Sequence, residues 1–344
     1  MSKQILNVKN INKEFKVKST KLFSRPDPVK VLKDISFDLY EGETLSIVGE
    51  SGCGKTTLGR CIAKGVEATS GEVIYHSDAD KQIDYLHMDK QEFKQFRKDI
   101  QMIFQDPYSS LSPRMSVYDI ITEPLITNFN LSKAEVDKKV SEIAEKTGLN
   151  ASYLRRYPHA FSGGQRQRIA IARALITQPK IIVCDEAVSA LDVSIQAQII
   201  NLLIDLQKEF GITYIFISHD LSVVQTISDK VAVMHLGKIV EMADVEEIFN
   251  HPKHPYTEAL LSAVPIPDPN VEKDRIILDG EVPNPANPPT GCEFHPRCPY
   301  KTDKCISERP DLTQTDEENV HLSACHYANE LHLKGVKIAN EGNE

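Results

Sequence analysis

Residues 49–56 read Gly49-Glu50-Ser51-Gly52-Cys53-Gly54-Lys55-Thr56, and Thr57 follows. Glycines at this spacing let consecutive backbone N–H groups turn inward onto phosphate oxygens. A helix opening at Lys55 adds its positive N-terminal end. Lys55 has the length to reach β- and γ-phosphates, and the Thr56 hydroxyl suits Mg2+. A second candidate is the apolar run Ile181-Ile182-Val183-Cys184, which ends in Asp185 and Glu186. An unpaired carboxylate at the end of a buried strand is unfavourable. Beside Mg2+ and water both carboxylates have work: Asp185 holds the metal, directly or through a water, and Glu186 polarises the attacking water as general base. Ser162-Gly163-Gly164-Gln165 is a third candidate, because small residues at a helix start form an anion site. The first two have plainer readings, as a Gly-rich turn and as an N-cap pair. Their order in one chain points instead to nucleoside triphosphate hydrolysis.

These groups need particular elements to hold them. Leu45-Ser46-Ile47-Val48 is a short apolar strand entering the glycine loop, and a helix runs from Lys55 to about Lys64. A polar loop, Ser19 to Pro28, interrupts the early strands. Ser132-Lys133-Ala134-Glu135 is a capping box, and Val136, Val140, Ile143 and Ala144 follow at helical spacing. Residues of about 106–165 therefore read as a helical subdomain inserted between two parts of a nucleotide core. Downstream, Ile195, Ile199, Leu202, Leu203 and Leu206 share one helix face. Strands alternate with helices, which predicts a parallel α/β core.

The composition suits a globular protein with ample core: 344 residues, 41% hydrophobic and 26% charged. A net charge of −9 argues against a nucleic-acid-coating protein. No apolar run has the length of a membrane span, and the N-terminus lacks the apolar stretch of a signal peptide. The chain reads as cytoplasmic, with any membrane association coming through a partner. Eleven of the 19 prolines lie between Pro252 and Pro299, and four of the seven cysteines lie beyond residue 290. That shift divides the chain near residue 250, into a nucleotide-binding domain of residues 1–250 and a Pro/Cys-rich appendage of residues 251–344.

The five segments—the glycine loop, Gln105 after an apolar strand, the Ser-Gly-Gly-Gln, the strand ending in Asp185-Glu186, and His219 after the apolar strand Thr213 to Ile217—resemble the ATPase subunits of ATP-binding-cassette (ABC) transporters. The resemblance implies an α/β fold, a P-loop NTPase core of ABC type with an inserted helical subdomain. It makes ATP and Mg2+ the ligands. It implies that Gln105 touches Mg2+ or water, that His219 contacts the γ-phosphate, and that Phe15 stacks on adenine. It also implies that Ser162, Gly163, Gly164 and Gln165 read the γ-phosphate bound to the opposite subunit of a head-to-tail dimer, with Asp192 in the loop linking the two sites. Phe161 stands where the family usually has Leu. As a lone residue, His219 reads as a core histidine, Phe15 as a core phenylalanine and Gln105 as a surface glutamine.

Further segments sharpen the resemblance to the dipeptide/oligopeptide permease ATPases. They are Ile103 to Leu111, Tyr157-Pro158-His159-Ala160-Phe161, Ser189 to Ser194, His254-Pro255-Tyr256-Thr257 and Gly291 to Pro299. The chain resembles the second ATPase of such an importer. That implies a related ATPase as heterodimer partner, two transmembrane permease subunits and an extracytoplasmic substrate-binding protein. The ATPase then sits peripherally on the cytoplasmic face of the cell membrane. The same family holds importers of nickel and other non-peptide cargo. A soluble non-transport ABC ATPase is the more distant alternative, and it lacks the second cassette or long coiled coils expected of that class.

Cys292, Cys298, Cys305 and Cys325 are separated by five, six and nineteen residues, without a C-x-x-C pair. The spacing suits a zinc ribbon poorly. Four thiolates can hold a 4Fe-4S cluster, and family members with this tail resemble cluster-bearing ATPases. Zinc and unliganded cysteines remain the other readings. Cys53, Cys61 and Cys184 read as small packing residues.

Overall fold

The computed structural model describes residues 3–16, 28–77, 81–264, 275–281, 283–316 and 320–336. Most of the polar loop expected at 19–28 lies outside them. The chain opens with β1 (Gln4–Phe15), β2 (Val29–Tyr40) and β3 (Thr44–Val48), and α1 (Lys55–Ile62) follows the glycine loop. The helix stops two residues short of Lys64, which takes a positive φ of 55° and so cannot continue a right-handed helix. Next come β4 (Ser70–His76), β5 (Gln82–Asp84), α2 (Lys90–Phe96) and β6 (Ile100–Ile103). A helical stretch holds α3 (Pro107–Ser110), α4 (Val117–Asn128), α5 (Lys133–Lys146) and α6 (Gly163–Leu175). Strands and helices then alternate through β7 (Ile181–Asp185), α7 (Val193–Phe210), β8 (Thr213–Ile217), α8 (Leu221–Ile227), β9 (Lys230–His235) and β10 (Lys238–Asp244). The remainder holds α9 (Val245–Asn250), α10 (Pro255–Ser262), α11 (Asp303–Ser307), β11 (Thr313–Gln314) and β12 (Leu322–Ser323).

Two sheets result. One is antiparallel, in the order β2-β1-β4-β5. In β2, Ile35, Phe37 and Leu39 are buried while Asp34, Ser36 and Asp38 face water, the period-two pattern of a sheet with one wet face. The other has the order β11-β12-β10-β9-β3-β8-β7-β6, and β9, β3, β8, β7 and β6 run parallel. Every residue of β3, β7 and β8 is buried, as befits mainly apolar strands covered on both faces. One core lies beneath α4 to α7, and a second joins the antiparallel sheet to α1 and the central strands. A third joins Val231, Val233 and Val240 to Phe249, Tyr256 and Phe294. The tail thus shares a hydrophobic core with the central sheet. Through β12 it also extends that sheet at the β10 edge.

Candidate active site

The carboxyl ends of four adjacent parallel strands converge, the usual place for a ligand in an open α/β sheet. β3 leads into the glycine loop, β8 into His219, β7 ends at Asp185 and β6 leads to Gln105. The loop needs its glycines. A Cβ on Gly49 (φ 150°) would stand 2.2 Å from the Met234 carbonyl oxygen, and one on Gly54 (φ 108°) 2.9 Å from that of Val31. Lys55 is 4% exposed. Its ammonium donates to the carbonyls of Gly49 (2.7 Å) and Glu50 (3.0 Å), so it lies folded over the loop. Cys53 is buried, with Sγ 3.9 Å from the same ammonium, and burial pushes its thiol up.

The Thr56 hydroxyl donates to Asp185 Oδ1 at 2.8 Å. Asp185 is fully buried, its Oδ2 has no hydrogen-bond partner among the described residues, and burial raises its pKa. A carboxylate left in this condition calls for a cation. The paired hydroxyl and carboxylate oxygens are the hard donors that Mg2+ prefers, so these residues fit the ion.

Glu186 breaks away from β7 with a φ of 47°, its N–H held by the Ile217 carbonyl at 3.0 Å. This sets its carboxylate between two neighbouring strand ends. Gln105 donates to Oε2 at 2.6 Å, and His219 Nδ1 lies 3.4 Å from Oε1. The glutamate side chain is largely buried and the histidine is more than half exposed. Three residues far apart in sequence thus form one acceptor–donor group beside Asp185.

Ser162 caps α6 in a capping box with Gln165, and Ser162 and Gln165 are exposed. Gly164 is needed, because a Cβ there would meet Ile195 Cγ2 at 2.4 Å. Gly163 faces Leu191, so this segment is packed onto the loop whose Asp192 caps α7. Among the described residues no hydrogen bond joins residues 162–165 to the glycine loop. Phe15 ends β1, 43% exposed, with the Lys13 ammonium 4.8 Å above its ring.

The tail meets this site in a way the motifs did not foretell. Arg297 forks both of its Nη groups onto the two Glu50 carboxylate oxygens, at 2.7 and 2.8 Å. The guanidinium holds the Glu50 carboxyl below its usual range. The Tyr256 hydroxyl accepts the Glu50 N–H at 2.8 Å. Lys33 and Glu293 form a buried ion pair at 3.0 Å, with Arg309 3.2 Å from the same carboxylate. Arg297 and Tyr256 were visible only as parts of the tail segments; nothing in their spacing says which loop they meet.

Cys292, Cys298, Cys305 and Cys325 line one pocket, with His254, Phe294 and Tyr300. Burial pushes Cys298 up to about 12 and Cys325 to about 11. Among the described residues, no three His, Cys, Asp or Glu side chains are arranged to hold a single metal ion. The four thiols share a pocket, and their arrangement by itself shows no metal centre.

Residues 32–189 match the family model "ABC transporter", and residues 240–305 match "Oligopeptide/dipeptide transporter, C-terminal region". The chain is 52% identical to the oligopeptide transport ATP-binding protein OppF of Haemophilus influenzae, over 93% of this chain and 96% of that one. It is 46% identical to the di/tripeptide transport ATP-binding protein DppF of Pseudomonas aeruginosa, over 95% and 98%. Among solved structures it is similar to a dimeric ATP-binding cassette in a post-hydrolysis state bound to ADP and phosphate. The TM-score is 0.61 at 30% identity, covering 70% of this chain and 99% of that one. It is also similar to cbiO1 of Clostridium perfringens, at TM-score 0.60 and 31% identity, covering 72% and 91%.

Proposed function

Since the chain belongs to the ABC transporter ATPases, in the branch carrying the oligopeptide/dipeptide transporter C-terminal region, we propose that it hydrolyses ATP to power peptide import, with the roles that follow. The observation that carries this is the convergence of Lys55, Asp185, Glu186, Gln105 and His219 at adjacent strand ends. Residues 49–57 cradle the phosphates through their backbone N–H groups, and Lys55 exchanges its two loop carbonyls for phosphate oxygens. Thr56, Asp185 and Gln105 hold Mg2+, which when bound neutralises charge on the phosphate oxygens. Glu186 takes the proton of the attacking water, oriented by Gln105, and His219 faces the γ-phosphate. Phe15 receives the adenine. Ser162 to Gln165 present the start of α6 to the nucleotide of a second ATPase subunit, and Asp192 relays between the two sites.

An ABC ATPase of a peptide importer works as a dimer with permease subunits. The pairing is with a related but different ATPase, and peptides arrive from an external binding protein. The groove beside Gln105 is lined by Arg97, Phe104 and Arg173, and Tyr108 stands 63% exposed nearby. It receives a short cytoplasmic permease helix, which places the protein peripherally on the membrane. The four tail cysteines hold one 4Fe-4S cluster that fixes the fold of the tail.

The test is reconstitution with the permease pair. Peptide uptake and ATP hydrolysis should both appear and both need Lys55. Hydrolysis without any permease association would refute the transport reading. Anaerobic protein should contain iron and sulfide near about four each per chain, and colourless, metal-free or zinc-loaded protein would refute the cluster.

A further inference from the structure

Every hydrogen-bonding group of Glu50 is engaged. Its carbonyl accepts from Lys55 Nζ at 3.0 Å and from the Cys53 N–H at 3.3 Å, within the loop. Its N–H and both carboxylate oxygens are held from the tail, by Tyr256 and Arg297. Both tethers come from one packed unit. Phe294 is 2% exposed, and its ring lies 5.3 Å from that of Tyr256. The Arg297 N–H bonds the Phe294 carbonyl at 3.0 Å, in the turn between Cys292 and Cys298. That turn is itself fixed by His295, whose N–H donates to the Cys292 carbonyl at 3.0 Å.

The charge of Glu50 makes this arrangement consequential. A carboxylate on a loop that binds a polyanion repels its ligand. Arg297 neutralises it with a bidentate pair and fixes its direction. Without Arg297 the loop would carry both a mobile second residue and an uncompensated negative charge. A loop with Gln at position 50 would escape that penalty, so Glu50 makes nucleotide affinity conditional on the docked tail.

We propose that Arg297 is a positioning residue for the phosphate loop, so that ATP affinity and the order of the cysteine-bearing turn 292–298 are coupled. The inference rests on the reading of residues 49–57 as an ATP site. Coupling of this kind is reciprocal: if the docked turn tightens ATP binding, ATP stabilises the docked turn by the same factor.

The experiment measures MgATP dissociation constants for the full-length wild type, Arg297→Gln, Glu50→Gln and the double variant, and hydrogen exchange of the wild type with and without MgATP. Arg297→Gln should weaken binding about tenfold, the lower end for a charge-assisted pair that is partly exposed. Turnover at saturating ATP should be retained, so the loss falls on KM. Added to Arg297→Gln, Glu50→Gln removes the uncompensated charge and should restore most of the affinity that Arg297→Gln loses. A merely structural Arg297 predicts no such rescue. In the wild type, MgATP should slow exchange at the amides of residues 292–298, and this measurement stands even where a variant fails to fold. Unchanged affinity in Arg297→Gln, a double variant no better than Arg297→Gln, or tail exchange indifferent to MgATP would each overturn the inference. A wild type that binds no MgATP overturns the ATP-site reading and this inference with it.

Discussion

Replacing Glu186 by Gln separates binding from hydrolysis, and the structure sets the size of each effect. The residue holds a φ of 47°, a strained conformation costing of order 1 kcal/mol for any side chain but glycine. Gln bears the same strain, so this term cancels. The amide oxygen still accepts from Gln105, now 2.6 Å away, and the amide nitrogen faces His219 Nδ1, now 3.4 Å from Oε1. No buried charge loses its partner, so stability should stay within about 0.5 kcal/mol of wild type. The loss is confined to the proton acceptor. Removing a positioned general base slows reaction by roughly 10²- to 10⁴-fold, or about 3–5 kcal/mol of barrier. MgATP affinity should hold within about threefold, since among the described residues no hydrogen bond or ion pair joins Glu186 to residues 49–57. The assay is phosphate release by the assembled transporter at saturating MgATP, beside equilibrium nucleotide binding. With hydrolysis blocked, the dimer should accumulate closed around two ATP molecules. Turnover within tenfold of wild type would refute the general-base assignment. Loss of ATP binding alongside turnover would show that Glu186 holds the site together rather than acting on water.

Three other outcomes follow from the same geometry. Glu293→Ala strands the buried Lys33 ammonium, whose side chain is 9% exposed, and should destabilise the protein by about 3–5 kcal/mol; Lys33→Met with Glu293→Leu should recover most of the melting temperature, and a single variant as stable as wild type would contradict the burial. Burial pushes the His235 pKa down to about 4 from the ordinary 6.5, so the unfolded chain binds the extra proton between these values. Its share of stability is whole above pH 6.5 and falls by about 3 kcal/mol as the pH drops to 4, and His235→Phe should flatten that part of a denaturation-versus-pH curve. Ser162→Arg places a bulky cation at the exposed start of α6, which among the described residues makes no hydrogen bond to the glycine loop. It should impair hydrolysis at the partner's site while its own loop still binds ATP, and the reverse pattern, read in mixed dimers with one labelled site, would contradict action in trans.

The phosphate loop, the carboxylate pair at the end of β7 and the capping box of α5 were legible because each is a local matter. A loop of glycines, an apolar strand ending in acid, and Ser or Asp before a helix have their physics within a few residues. The apolar strands Leu45 to Val48, Ile181 to Cys184 and Thr213 to Ile217, alternating with helices, likewise announced a parallel α/β core. Gln105 and His219 were different, since each alone reads as an ordinary polar residue. Only the strand order β8-β7-β6 brings them to the two sides of Glu186. The tail shows the limit most plainly. Its cysteines, prolines and the Arg297 beside Cys298 were all in view, yet composition suggested a separate appendage. Burying Phe294 with Tyr256, and pairing β12 with β10, sets that segment against the phosphate loop instead. The address of Arg297, 247 positions from Glu50, belongs to the tertiary structure because an ion pair across that separation leaves no period or spacing in the chain.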